Sequence, residues 1–251
     1  MTRPIPRIST RGYYDLSTGE TLKNNHYHFY PKKDLQHLIG SKELVIMIHG
    51  LRNNHSGALK KTLIAQNRLK KLGYLHPVIG YSYDSNTVGA HLISQAKHAL
   101  DVGVIIAKKN GRNLGLFIED FKAISHKTKI RLMGHSLGSQ VILSAIERLS
   151  KKNQNDAVIE SVHFFGASIS NSILLSKKYG KLLDKVINDK IINYYSPTDE
   201  VLFWGSKANY VDSPLGLNGI KEKTIPKYSQ RKVSPENHRF ASYAAVLKSF
   251  P

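Results

Sequence analysis

The run Lys129-Ile130-Arg131-Leu132-Met133-Gly134-His135-Ser136-Leu137-Gly138 couples a short β-prone segment to Gly-x-Ser-x-Gly, and a helical pattern follows at once. Few folds accommodate that order. A sharp strand-to-helix turn holds the central serine strained and exposed at the top of a sheet. The flanking glycines leave room where a Cβ would strike neighbouring backbone. Beyond the turn, Val141, Ile142, Ala145, Ile146 and Leu149 recur at helical spacing.

The same alternation runs along the chain. Residues 43–48, continuously apolar from Leu44, end at His49-Gly50, as expected of a central strand buried on both faces. A helix is predicted over 56–72, stopped by Gly73, and a strand over 78–83. A second helix starts near Leu92 and ends near Gly111. Strands follow at 161–165 and 190–195, with a Ser- and Lys-rich helical stretch from about 170 to 187 between them. The tail holds a Pro/Gly-rich loop at 213–219, one or two short strands and a final helix from about 239. Residues 1–40 read as an irregular arm plus a hairpin, with 13–16 and 26–30 flanking the turn-prone Ser17-Thr18-Gly19-Glu20. Strands alternating with helices imply βαβ units, a mostly parallel sheet and helices on both faces. With 251 residues and 41% hydrophobic content, the expectation is one α/β domain over 1–251, its lid absent or a small one at 168–188.

Composition narrows the chemistry. There is no cysteine, which excludes disulfides, cysteine zinc sites and a thiol nucleophile. The first residues lack the apolar core of a secretory signal, and no stretch approaches the ~20 apolar residues of a membrane span, so a cytoplasmic protein is expected. Thirty-seven Lys and Arg against 18 Asp and Glu give a net charge of +19. That balance favours peripheral contact with anionic surfaces, although the basic pairs are scattered and also suit solvated helix faces. His26 and His28 share a strand face, but no carboxylate cluster or His-Glu-x-x-His pattern accompanies them, so neither metal nor cofactor is expected.

In an open parallel sheet, ligands bind at the carboxyl ends of the strands, and the chemically able residues collect there. A serine hydroxyl needs a base within hydrogen-bond reach, and an imidazole needs an acceptor on its other nitrogen. Ser136, Asp199 and His238 occur in the order nucleophile, acid, base. Glu200 and Asp212 compete with Asp199, which is preferred because it directly follows a strand end and a turn-forming Ser-Pro-Thr. The expected oxyanion donors are the backbone N–H of Leu137 at a helix start and that of Leu51 in the turn after His49. Arg52 and His49 are candidates for substrate binding at the site mouth, Arg52 reading equally as a solvated loop residue and His49 first as a structural residue that orients the turn. His135 is given no catalytic role. Tyr81, Tyr83, Phe203 and Trp204 lie near strand ends and suit either core or an acyl-binding wall.

At these residues the chain resembles an α/β-hydrolase. Gly134-His135-Ser136-Leu137-Gly138 is similar to the nucleophile elbow of lipases and esterases, and His49-Gly50 to their oxyanion turn. Val162-His163-Phe164-Phe165-Gly166-Ala167 with Asn193-Tyr194-Tyr195-Ser196-Pro197-Thr198-Asp199 resembles the DUF726 hydrolase-like proteins and, more distantly, the class 3 lipases. The resemblance covers about 44–240. It implies a serine hydrolase acting on a small-molecule ester or lipid, or on other acyl bonds, through an acyl-enzyme. The alternative is an inactive hydrolase scaffold whose basic surface docks on anionic membrane or nucleic acid.

Overall fold

The computed structural model describes residues 4–24, 26–152, 156–175, 177–221 and 225–251. Eight strands form one sheet: β1 (Arg7–Ser9), β2 (His28–Tyr30), β3 (Glu43–Ile48), β4 (Val78–Ser82), β5 (Lys129–His135), β6 (Ile159–Phe165), β7 (Ile187–Tyr195) and β8 (Tyr228–Lys232). Their spatial order is β2-β1-β4-β3-β5-β6-β7-β8, and every pairing is parallel except the edge pair β1–β2. This is the α/β-hydrolase fold.

The period-two pleat divides each central strand between two cores. Leu44, Ile46 and Ile48 of β3 join one apolar cluster. That cluster also takes residues of α2 (Ala96–Ile124), α3 (Gly138–Leu149) and α5 (Lys177–Val186). Val45 and Met47 join the other, against α1 (His55–Lys71) and α8 (Phe240–Val246). A continuous apolar run is what a strand covered on both faces requires. α1 is capped by Asn54, whose side chain accepts from the Gly57 N–H at 2.9 Å. It buries Ala58, Thr62, Ala65 and Leu69, at helical spacing.

Three expectations change. The second helix does not end near Gly111: α2 runs through it to Ile124. A Cβ on Gly111 would stand 2.3 Å from Ser144 Cβ and 2.7 Å from Val141 O, so the glycine lets α3 approach instead of stopping α2. The strand paired with 28–30 is β1, with Ile8 opposite Phe29, and not 13–16. Tyr13 and Tyr14 are both buried, which strand alternation at a half-covered edge cannot achieve, and Asp84 Oδ2 accepts from the N–H groups of Gly12 and Tyr13. The expected loop at 213–219 contains a short helix, α7 (Leu215–Asn218). The 168–188 segment, of which residue 176 lies outside the described residues, packs on the sheet. In α4 (Ser172–Leu175) and α5, Leu174, Leu183 and Val186 are buried in the same core as α3, making the crossover between β6 and β7. One further helix, α6 (Glu200–Lys207), is new.

Candidate functional site

β5 ends at His135, and the next residue turns the chain into α3. Ser136 has φ 51°, the left-handed region that side chains rarely adopt. The strain is held from both sides. Ser136 N–H donates to Phe165 O at 3.0 Å, while Ser136 O accepts from Ser139 N–H at 3.0 Å and from Ser139 Oγ at 2.6 Å. The elbow presses on the turn after β3. A Cβ on Gly138 would lie 2.5 Å from Ile48 O, and one on Gly50 would lie 2.8 Å from Ser136 Cβ.

His238 sits between β8 and α8, and its Nε2 is 2.9 Å from Ser136 Oγ. Its Nδ1 is 2.7 Å from Oδ2 of Asp199, which follows the end of β7. The Asp199 carboxylate is fully buried and is held below the usual carboxylate range. Burial works the other way, but the bonds from His238, Tyr243 and the Leu202 N–H outweigh it. An ionised carboxylate only accepts, so Nδ1 of His238 donates and Nε2 is left to accept the serine proton. Asp199 is pinned in turn. Its Oδ1 accepts from the Leu202 N–H at 3.1 Å and so caps α6, and its Oδ2 accepts from Tyr243 Oη at 2.6 Å. The competing carboxylates, Glu200 and Asp212, are both exposed to solvent.

The other expected residues fall into two groups. The backbone N–H groups of Leu51 and Leu137 have no acceptor among the described residues, and the two side chains pack together against Gly103 of α2. Arg52 has φ 60° and an exposed side chain. His49 is 1% exposed, stacked on Tyr83 with ring centroids 4.5 Å apart, so it supports the turn and does not face a substrate. Burial, and next the charge of Arg11, hold its imidazole well below its ordinary pKa. Tyr81 and Tyr83 are core residues, whereas Phe203 and Trp204 are exposed on α6. Among the described residues, no group of three His, Asp or Glu could hold a metal ion, and His26 and His28 border an open surface cavity of about 620 Å³ beside Asp120.

A family model described as "Protein of unknown function (DUF726)" matches residues 94–228, more than half of the chain. The chain belongs to the DUF726 family. The family match holds Ser136 and Asp199, while the His49 turn and His238 lie outside it. A rice (Oryza sativa subsp. japonica) protein, "Transmembrane and coiled-coil domain-containing protein STS1", is 24% identical over 127 residues, which make up 51% of this chain and 18% of that one. The chain thus matches under a fifth of that relative's length. No helix among the described residues is long and apolar enough to cross a membrane. Among solved structures, a lipase-esterase related protein from Clostridium acetobutylicum covers 83% of this chain and 92% of its own at 13% identity and TM-score 0.43. A cutinase from Trichoderma reesei, solved with a phosphonate inhibitor, covers 51% and 52% at 18% identity and TM-score 0.34.

Sequence reasoning missed three supporting residues in this DUF726 chain. Tyr243 holds Asp199 from α8. His135 is 2.7 Å, through Nε2, from the carbonyl of His238, so the elbow grips the segment that carries His238. Asn53 Nδ2 donates to Gly50 O at 2.9 Å and to Leu51 O at 2.7 Å. Only Asn53 gave a signal, as a short polar residue beside a turn that must be fixed.

Proposed function

We propose that this protein is a serine acyl hydrolase that cleaves carboxylic esters. The observation that carries this reading is the continuous chain Ser136 Oγ, His238 Nε2, His238 Nδ1, Asp199 Oδ2, with links of 2.9 and 2.7 Å, assembled where three segments leave the sheet. His238 Nε2 takes the proton of Ser136 as Oγ attacks the ester carbonyl. The tetrahedral oxyanion is met by the free N–H groups of Leu51 and Leu137, the second at the start of α3. Collapse breaks the bond to the alcohol, which receives the proton back from His238. Water then attacks the acyl-serine with His238 again as base, releasing the acid and restoring the serine. Asp199 keeps the ring in its productive tautomer and balances the imidazolium.

A small-molecule ester or lipid is the proposed substrate class, and the excess of basic side chains favours anionic surfaces as the place where it is met. The same machinery serves thioesters and amides. The test is covalent labelling with a fluorophosphonate together with turnover of p-nitrophenyl esters. The wild type is expected to be labelled and active, and Ser136→Ala to be neither while keeping its circular dichroism. An unlabelled, inactive wild type that binds anionic vesicles in a salt-dependent way would replace this reading with that of an inert docking scaffold.

A further inference from the structure

The turn proposed to supply one oxyanion donor is anchored by a residue far upstream. Arg11 follows β1, and its side chain crosses to the end of β3. Its Nε donates to Ser82 Oγ at 3.0 Å, and one terminal nitrogen donates to Asn53 O at 3.0 Å. The other donates to Asn54 O at 3.0 Å and lies 3.4 Å from His49 Nε2. Asp84, with a carboxylate oxygen 4.0 Å away, offsets the charge.

A guanidinium has no lone pair to offer, so His49 Nε2 must be the acceptor. The Tyr83 N–H, 3.3 Å away, donates to the same nitrogen. With Nε2 accepting, the proton of the neutral ring sits on Nδ1, which is 3.0 Å from Gly50 O. Gly50 O is therefore held twice, by His49 Nδ1–H and by Asn53 Nδ2–H. The carbonyl and N–H of one trans peptide point in opposite directions. Fixing Gly50 O to one side therefore fixes the Leu51 N–H to the other. Gly50 itself touches Ser136, its absent Cβ falling 3.3 Å from Oγ.

We propose that Arg11 is a positioning residue of the oxyanion turn: it locks His49 as the Nδ1–H tautomer, which pins the Gly50–Leu51 peptide with its N–H toward Ser136. The proposal rests on the hydrolase reading above. It assigns to the N-terminal arm, outside the family match at 94–228, a part in the rate of acylation.

The test follows fluorophosphonate labelling of the full chain over time, in Arg11→Ala and in the charge-preserving Arg11→Lys, with Ser136→Ala as the blank. Positioning predicts a labelling rate about 10- to 100-fold slower, complete labelling at long times, and a matching loss in kcat for p-nitrophenyl esters with KM unchanged. Lysine cannot span two carbonyls and a ring nitrogen, so Arg11→Lys is expected to be slow as well. A merely structural role would lower the labelled fraction and leave the rate of that fraction alone, and that outcome overturns the proposal. Wild-type rates in both variants also overturn it while leaving the hydrolase reading intact. A wild type that never labels removes that reading and this proposal together. Nitrogen NMR of His49 gives an independent check: the wild type should show a protonated Nδ1 and a bare Nε2, and the reverse would overturn the assignment without any activity measurement.

Discussion

Ser136 and His238, the proposed nucleophile and base, meet across one 2.9 Å hydrogen bond, yet they are held in place by different means. The elbow is local and packed. Ser136 lies between β5 and α3, its neighbours His135 and Leu137 are buried, and Gly138 presses on the backbone of β3. The segment bearing His238 is exposed on both sides of it, at Glu236, Asn237 and Arg239. It is held by a few long-range bonds: Val233 N–H to Tyr195 O at 2.9 Å, His135 to the His238 carbonyl, and the two bonds of the imidazole itself. One half of the site is fixed by backbone crowding and the other by individual side chains. Tolerance to substitution should therefore differ between the halves, although the proposed chemistry treats them as a unit.

That unity gives the largest expected effect. Ser136→Ala and His238→Ala should each lower kcat by at least about 10,000-fold, and the double variant by no more than either alone. Additive losses in ester turnover would separate the two halves chemically and break the proposed mechanism.

Stability should show the contrast next. A valine at Gly138 would drive its Cβ to 2.5 Å from Ile48 O, where two strand ends and a helix start leave nothing to move. Gly138→Val should cost about 3 kcal/mol in urea unfolding, whereas Glu236→Ala in the histidine segment should stay within about 0.5 kcal/mol. Equal costs would mean that the two halves are equally packed.

The same difference explains what the sequence revealed. A position fixed by backbone crowding leaves a local pattern, so the strand, the elbow and α3 could be read from the one continuous stretch 129–149. The order of Ser136, Asp199 and His238 was also legible, because a parallel sheet brings strand ends together. A position fixed by distant side chains leaves none. His135, Tyr243 and Arg11 look like ordinary residues of a strand, a helix and an arm until tertiary contacts give them partners. Gly111 misled for the opposite reason: the letter that ends a helix also lets two helices touch, and only the packing of α3 decides between the two. The buried Arg131–Glu43 pair, with its 2.8 Å bond between β5 and β3, was likewise invisible inside apolar runs.

His135 joins the two halves, so its removal sharpens the comparison. His135→Phe keeps a ring in the elbow but loses the donor to the His238 carbonyl, and kcat should fall about tenfold with KM unchanged. It should also alter the acid limb of stability. Burial, and next the charge of His238, hold the His135 imidazole well below its ordinary pKa of ~6.5. In that window the unfolded chain binds a proton that the native state refuses, so the stability this group supports is present above ~6.5 and lost as pH falls. The variant should remove up to ~1.4 kcal/mol per pH unit of that slope, read from urea midpoints between pH 6.5 and 5. An unchanged slope would mean that the ring is not buried neutral.

Tyr243 supports the histidine half from beneath, and its removal should give the smallest of these effects. Its hydroxyl donates to Asp199 Oδ2 at 2.6 Å, the same oxygen that accepts from His238. Burial, and next the charge of Asp199, raise its pKa, so it stays a neutral donor throughout the working range. Tyr243→Phe would leave the ring against Gly166, which a Cβ there would approach to 2.9 Å, and remove only the hydroxyl. Asp199 would keep the bonds from His238 and from the Leu202 N–H, so it would not be left bare. The expected loss is about 1 kcal/mol of stability and a few-fold in kcat. If instead the activity fell as far as in His238→Ala, the tyrosine would be setting the carboxylate's position outright. The base would then be as rigidly built as the nucleophile, which its exposed flanks argue against.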